Sequence, residues 1–270
     1  MNKRESILLD SPVLIRKGVF TTRDAEQALA WSRADLHPVL SRLVKKGRLA
    51  RIKRGLFCLV PPGSKDLKRG YPQNWFLIAK ALAEGKPYFI SHYSAMHLHG
   101  MTSESIQTIF ISLSEQRRSP KDLRIPVRFV AIPKKRFWGL EDKWVTNEEK
   151  ACVSDLERTI LDILDRPDLS GGITEIARGL WLVKNEINVS RLVDYAKRFD
   201  SYAAAKRLGF LMEKLHLGPE KAVERIYEFI RPSTSYALLD PTSKQGGRHL
   251  DRWHLRLNVE MVDIEKNLMT

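Results

Sequence analysis

Cysteine is nearly absent: Cys58 and Cys152 are the only two in 270 residues. Each sits in an apolar, strand-like run, so both read as small buried hydrophobes in a reducing compartment and a disulfide framework is excluded. No apolar run approaches the roughly 20 residues that span a bilayer. The first residues, Met1-Asn2-Lys3-Arg4-Glu5, lead into a short amphipathic stretch and lack the apolar core of a secretion signal, so a cytoplasmic protein without membrane contact is expected. Internal repeats, low-complexity segments, a Walker-type phosphate loop and a nucleophile elbow are missing as well. What is present is a globular balance, 43% hydrophobic and 29% charged, long enough for one large or two ordinary domains.

Acidic residues are scarce in one quarter of the chain. The net charge is +14 overall. Residues 1–70 carry 16 Lys and Arg against 6 Asp and Glu, a net of +10, whereas residues 71–270 carry 30 against 26. A localised basic module beside a nearly balanced one is the electrostatic footprint of nucleic-acid binding.

The basic quarter has a pattern to match. Residues 5–16 read as a first helix interrupted or kinked at Pro12, and Gly18 ends it. Thr21 with Asp24 is a capping-box start for a short second helix through Ala25, Ala28 and Leu29. Ser32 with Asp35 starts a third, in which Leu36, Val39, Leu40, Leu43 and Val44 repeat at the spacing of one buried face. Its outer face carries Ala34, Pro38, Ser41, Arg42 and Lys45, with His37 at the margin, and Gly47 stops it behind Lys45-Lys46. Strand-like residues then flank a tight turn at Lys53-Arg54-Gly55. Two helices and a basic hairpin make a winged helix-turn-helix.

A helix fits the major groove and its N-terminal half reaches base edges. Arg33, His37, Ser41 and Arg42 are the candidates for base contacts, with Ser32 at the helix start. Lys45, Lys46, Arg51, Lys53 and Arg54 suit phosphate neutralisation, and backbone amides near Thr22 and Arg23 suit a phosphate at a helix N-terminus. Pro38 removes one helical hydrogen bond and is expected to bend the helix. A winged helix used only for protein contact leaves the basic outer face unexplained.

Residues 63–72 read as a linker between a DNA-binding unit, 1–62, and a larger unit, 73–270. The larger unit divides into mixed α/β to 153, mainly helical residues 154–230, and a strand-rich tail. Strands are expected at 88–91, 106–113, 127–132, 143–145, 150–153, 236–239 and 253–259, and Ser154 with Glu157 as a further capping box. The fold class is therefore α+β. No metal or cofactor is expected: His92, His97 and His99 lack the spacing for ligands on one helix, and helix caps or packed contacts suit them better. Asp155, Glu157, Asp162 and Asp165 form a carboxylate cluster, but Asp162 pairs with Arg158 at i, i+4 and no converging lysine completes a nuclease site, so catalysis is not expected. Gly171-Gly172 reads as a loop before a helix.

Several stretches resemble the AbiEi-type antitoxins of type IV toxin–antitoxin systems. They are Gly18-Val19-Phe20-Thr21-Thr22, Leu43 to Gly47 with Ile52 to Leu56, Ile90 to Ala95 with His99-Gly100, Val153 to Asp162, Asp165-Arg166-Pro167 before Gly171-Gly172, Leu239-Asp240-Pro241, and Trp253 with Asn258-Val259. The resemblance implies an N-terminal winged helix followed by a C-terminal antitoxin domain. It implies repression of the protein's own operon through inverted repeats in double-stranded DNA. It also implies opposition to a nucleotidyltransferase-like toxin, without a stable complex. The DNA-contacting positions it implies are the helix and wing residues already named. No short motif maps antitoxin activity onto single residues, and in the Ser154–Asp162 block Asp155 and Glu157 suit capping and Arg158 an ion pair. A stand-alone regulator and a DNA-targeted nuclease are the alternatives.

Overall fold

A computed structural model describes residues 2–60, 75–83, 85–119, 126–147, 149–260, 262 and 264. The expected linker, residues 63–72, lies wholly outside them.

The chain opens with α1 (Lys3–Leu9), α2 (Pro12–Lys17), β1 (Val19–Thr21), α3 (Thr22–Leu29), α4 (Arg33–Lys45), β2 (Leu49–Lys53) and β3 (Leu56–Leu59). Residues 5–16 are thus two helices and not one. Pro12 does not kink a helix but starts α2, at the first-turn position where a missing N–H costs nothing. The strands pair antiparallel in the order β1-β3-β2, and the wing turn is the two residues Arg54-Gly55, Lys53 being the end of β2. Gly55 sits at φ +78°, which explains its glycine.

Both faces of this small sheet are buried, as alternation dictates. Phe20, Leu49 and Phe57 face Leu8, Leu14, Leu36, Val39, Leu40 and Leu43 of the helices. Val19, Ile52, Leu56 and Cys58 face the other way, into a second core. That core is built on α5 (Trp75–Leu82), whose Leu77, Ile78, Ala79 and Leu82 are buried. Its far side is a five-stranded sheet formed by β4 (Tyr88–Ile90), β5 (Ile109–Leu113), β6 (Val127–Ala131), β7 (Leu140–Trp144) and β8 (Lys150–Ser154), in the order β6-β5-β4-β8-β7. A helix packed between two sheets needs apolar residues nearly all round, and α5 has them. The sheet is mixed: β4 pairs antiparallel with β5 and parallel with β8, while β7–β8 is antiparallel and β5–β6 parallel. Between β4 and β5 lies α6 (His92–Leu98).

The remaining core is helical: α7 (Leu156–Asp165), α8 (Gly172–Leu182), α9 (Val189–Phe199), α10 (Tyr202–Lys214) and α11 (Glu220–Ile230). Every residue of α7 from Glu157 to Leu164 is buried, placing it at the centre. Its N-cap is Asp155, whose side chain accepts from the Arg158 amide; Ser154, expected to cap, ends β8. The tail folds back as β9 (Ala237–Leu238), β10 (Arg248–Leu250) and β11 (Leu255–Leu257), ordered β10-β11-β9. Trp253, expected in a strand, lies in a 3-10 turn and is fully buried.

Candidate nucleic-acid interface

Thr21 and Asp24 form a full capping box at the start of α3: Asp24 N–H donates to Thr21 Oγ1 at 3.1 Å and Thr21 N–H to Asp24 Oδ2 at 2.7 Å. Lys17 Nζ adds a 2.5 Å bond to Asp24 Oδ1. The turn into α4 passes through Ala30 in a left-handed conformation at φ +53° and Trp31, over whose ring Arg4 lies at 5.8 Å. Ser32 caps α4, accepting from Asp35 N–H at 3.2 Å and donating to Asp35 Oδ2 at 2.6 Å. Such caps contribute about 1 kcal/mol each and fix where each helix begins. Leu36, Val39, Leu40 and Leu43 are buried and seat α4.

Arg33, His37, Ser41 and Lys45, four residues apart, are all exposed, forming a stripe on the side of α4 away from the core. Pro38 lies among them without breaking the helix, which runs unbroken from Arg33 to Lys45. Pro38 itself faces solvent, away from the packed side. On the wing, Arg51 and Arg54 are exposed and Lys53 is half-buried. Arg23 is exposed on the first turn of α3.

One expectation is corrected. The Thr22 amide is not open to a phosphate: it donates to the Gly55 carbonyl at 2.9 Å, and Thr22 Oγ1 reaches the same oxygen at 3.4 Å. The bond instead fastens the wing turn to the start of α3, which brings Arg23 and Arg54, each one residue from it, into one neighbourhood. Arg42, named above for base contacts, and Lys46, named for phosphate, each bind Glu5 of α1. Glu5 was missed by sequence reasoning. Its available signal was a carboxylate sharing the buried stripe of α1 with Leu8.

Residues 13–60 match the family model described as a transcriptional regulator, AbiEi antitoxin. The AbiEi match spans α2 through β3 and supports a DNA-binding regulator role for this winged helix. The whole fold is similar to the crystal structure of the RV2827C protein from Mycobacterium tuberculosis, with a TM-score of 0.70 over 100% of this chain and 96% of that chain, at 15% identity. No curated protein matches the sequence.

Further along the chain, several of the stretches singled out in the sequence hold one another in place. Arg158, fully buried, donates from Nε to Asp162 Oδ1 at 3.0 Å and from Nη1 to the carbonyls of Arg136 at 2.6 Å and Trp138 at 3.1 Å. Its guanidinium is flanked by Trp138, Phe199 and Phe89 at 4.7, 5.0 and 5.5 Å. Burial raises the Asp162 carboxyl to about 6 against the pull of Arg158. Glu157 accepts the Asn188 amide at 2.8 Å and pairs with Arg191, which locks the start of α9. Asp240 accepts the Ile173 amide at 2.9 Å, at the start of α8. Gly172 is glycine because a Cβ there would meet Asp240 Oδ2 at 2.8 Å. His99 Nε2 lies 2.8 Å from the Ser154 carbonyl, and buried His92 lies 2.8 Å from Ser91 Oγ through Nδ1. Among the described residues no group of three or more His, Cys, Asp or Glu side chains could hold a metal ion. No described helix is long and apolar enough to cross a membrane.

Proposed function

We propose that the protein binds inverted repeats in the double-stranded DNA upstream of its own gene, represses its own operon, and opposes a nucleotidyltransferase-like toxin. Residues 1–62 are the DNA-binding unit in this reading and residues 73–270 carry the antitoxin activity. The observation that carries it is the exposed stripe Arg33, His37, Ser41 and Lys45 on a capped helix, beside a basic wing, in a segment that matches a regulator family. The stripe enters the major groove, and His37 and Ser41 meet base edges with Arg33 at the N-terminal end. Lys45, Arg51, Lys53, Arg54 and Arg23 meet phosphates on either side.

A single winged helix touches few base pairs, which is why two copies on repeated half-sites suit it. The second reading, a stand-alone regulator, is favoured by one observation: most polar groups of the Ser154–Asp162 block are spent on internal bonds, Arg158 Nη2 and Asp162 Oδ2 being buried without a partner.

The first test is binding of the full chain to its own upstream duplex and to a scrambled duplex, over a salt series, beside a variant with Arg33, Lys53 and Arg54 changed to Ala. Specific binding that the variant loses supports the operator reading. Equal, weak binding to both duplexes by the unaltered protein sinks it. Rescue of growth when the chain is co-expressed with a nucleotidyltransferase-like toxin from the neighbouring gene separates antitoxin from stand-alone regulator.

A further inference from the structure

Glu5 is only 1% exposed at the start of α1, yet it is ionised, held down to about 2 chiefly by its bond to Lys46. Arg42 Nε donates to Oε1 at 3.2 Å, Lys46 Nζ to Oε2 at 2.7 Å, and the Asn2 amide to Oε2 at 3.1 Å. The charges are layered. The carboxylate lies beneath, while the side chains of Arg42 and Lys46 are 45% and 50% exposed. A polyanion approaching from outside therefore meets the cations and not the carboxylate.

Arg42 spends Nε on Glu5, and the two terminal nitrogens of its fork take no part in that bond. At about 100° per residue, Asp35, Arg42 and Lys46 share one flank of α4, roughly a quarter turn from Ser41 and Lys45. Arg4 Nη1, from α1, bonds Asp35 Oδ1 on the same flank at 2.8 Å. When the stripe sits in a major groove, that flank faces the groove wall, which is sugar and phosphate. Each long cationic side chain loses rotamer entropy when it binds, unless something has already fixed it. Glu5 fixes both and reduces the group's net charge from +2 to +1.

We propose that Glu5 is a positioning residue that presents Arg42 and Lys46 as one preorganised phosphate contact at the edge of the recognition helix. The proposal rests on the DNA-binding reading.

The full chain, E5Q, the double variant R42A/K46A and the triple variant are compared on the own-upstream and scrambled duplexes across a salt series. The two physical effects of E5Q have opposite signs. Loss of a negative charge strengthens binding to any duplex; loss of the clasp weakens it. The expected result is a 3- to 10-fold weakening on both duplexes, from about one or two side chains that must now be ordered on binding. In the R42A/K46A background the same change should cost less than about two-fold, the signature of action through those residues. The slope of log K against log salt should fall by about 1 in R42A/K46A. Folded E5Q that binds as tightly as the unaltered protein, or tighter, overturns the proposal; so does an undiminished cost in the R42A/K46A background. Should E5Q not fold, R42K decides, since it keeps the charge but not the fork: binding at the R42A level supports positioning, binding at the unaltered level overturns it. If the unaltered protein prefers neither duplex, the DNA-binding reading falls and takes the proposal with it. A specific unaltered protein with an indifferent E5Q removes the proposal alone.

Discussion

Gly209 has no room for a methyl group. A Cβ built there would stand 2.0 Å from Trp253 Cζ3 and 2.4 Å from Cη2, because the indole lies directly on α10 and its Nε1 is held by Glu213 Oε2 at 2.9 Å. Gly209→Ala should therefore destabilise the protein by at least about 3 kcal/mol, at or beyond the upper end for overpacked cores, read as a drop in the denaturant midpoint. In a Trp253→Ala background Gly209→Ala should cost far less, since the clash disappears with the ring. Glu5 offers a second residue-scale prediction. Its folded value, about 2, lies below its ordinary value of 4.5, so its contribution is present above pH 4.5 and is lost as pH falls toward 2. The thermal midpoint of the unaltered protein, minus that of E5Q, should shrink across this window and stay flat above it. Neither Glu5's partners nor the Thr22–Gly55 bond was legible in the sequence, because they join residues 37, 41 and 33 positions apart. Arg33, His37 and Ser41 were legible as solvent-facing because the apolar period of α4 leaves them no other side.

At the scale of elements, periodicity and caps located the helices well, since both are local. The α4 face of Leu36, Val39, Leu40 and Leu43 is buried as the spacing required. Elements set by distant partners were harder to read. Strand β10 exists because β11 pairs with it, and Arg248-His249-Leu250 carries no alternation of its own. Pro12 was legible as a disruption but not as a start, because the turn at Asp10-Ser11 ahead of it decides between the two. Pro38 is the one residue of α4 at odds with its element. It lacks the N–H that would reach the Ala34 carbonyl, and it is exposed, so packing does not require it. Pro38→Ala should stabilise the protein by about 1–3 kcal/mol in denaturant titrations. An unchanged or lower midpoint would mean that Pro38 relieves some strain in the folded state. On the wing, Arg51→Ala with Arg54→Ala should lower the salt dependence of DNA binding by about two phosphate contacts without altering sequence preference. A change in preference instead would move those side chains to base edges.

At the scale of the whole molecule, the α+β class and the charge asymmetry followed from composition and pattern. The arrangement of the parts did not, because no local signal says that a winged-helix sheet is covered on its outer face. Val19, Ile52, Leu56 and Cys58 read simply as strand residues, yet they share a core with α5 and the five-stranded sheet. Burial there pushes the Cys58 thiol up to about 12, which keeps it protonated and unreactive. A fragment of residues 1–62 would leave this apolar face bare. It should bind a hydrophobic dye and self-associate at concentrations where the full chain does not, measured by fluorescence and sedimentation. Changing Leu77 to Asp in the full chain should loosen the same seam and lower the thermal midpoint by several degrees.

A winged helix whose sheet is packed from behind has little room to swivel. If that shared core holds, its aim is set by the body behind it. Two such molecules on one duplex would then act as the fixed jaws of a calliper, and any mismatch in the spacing of their half-sites would have to be taken up by bending or twisting of the DNA.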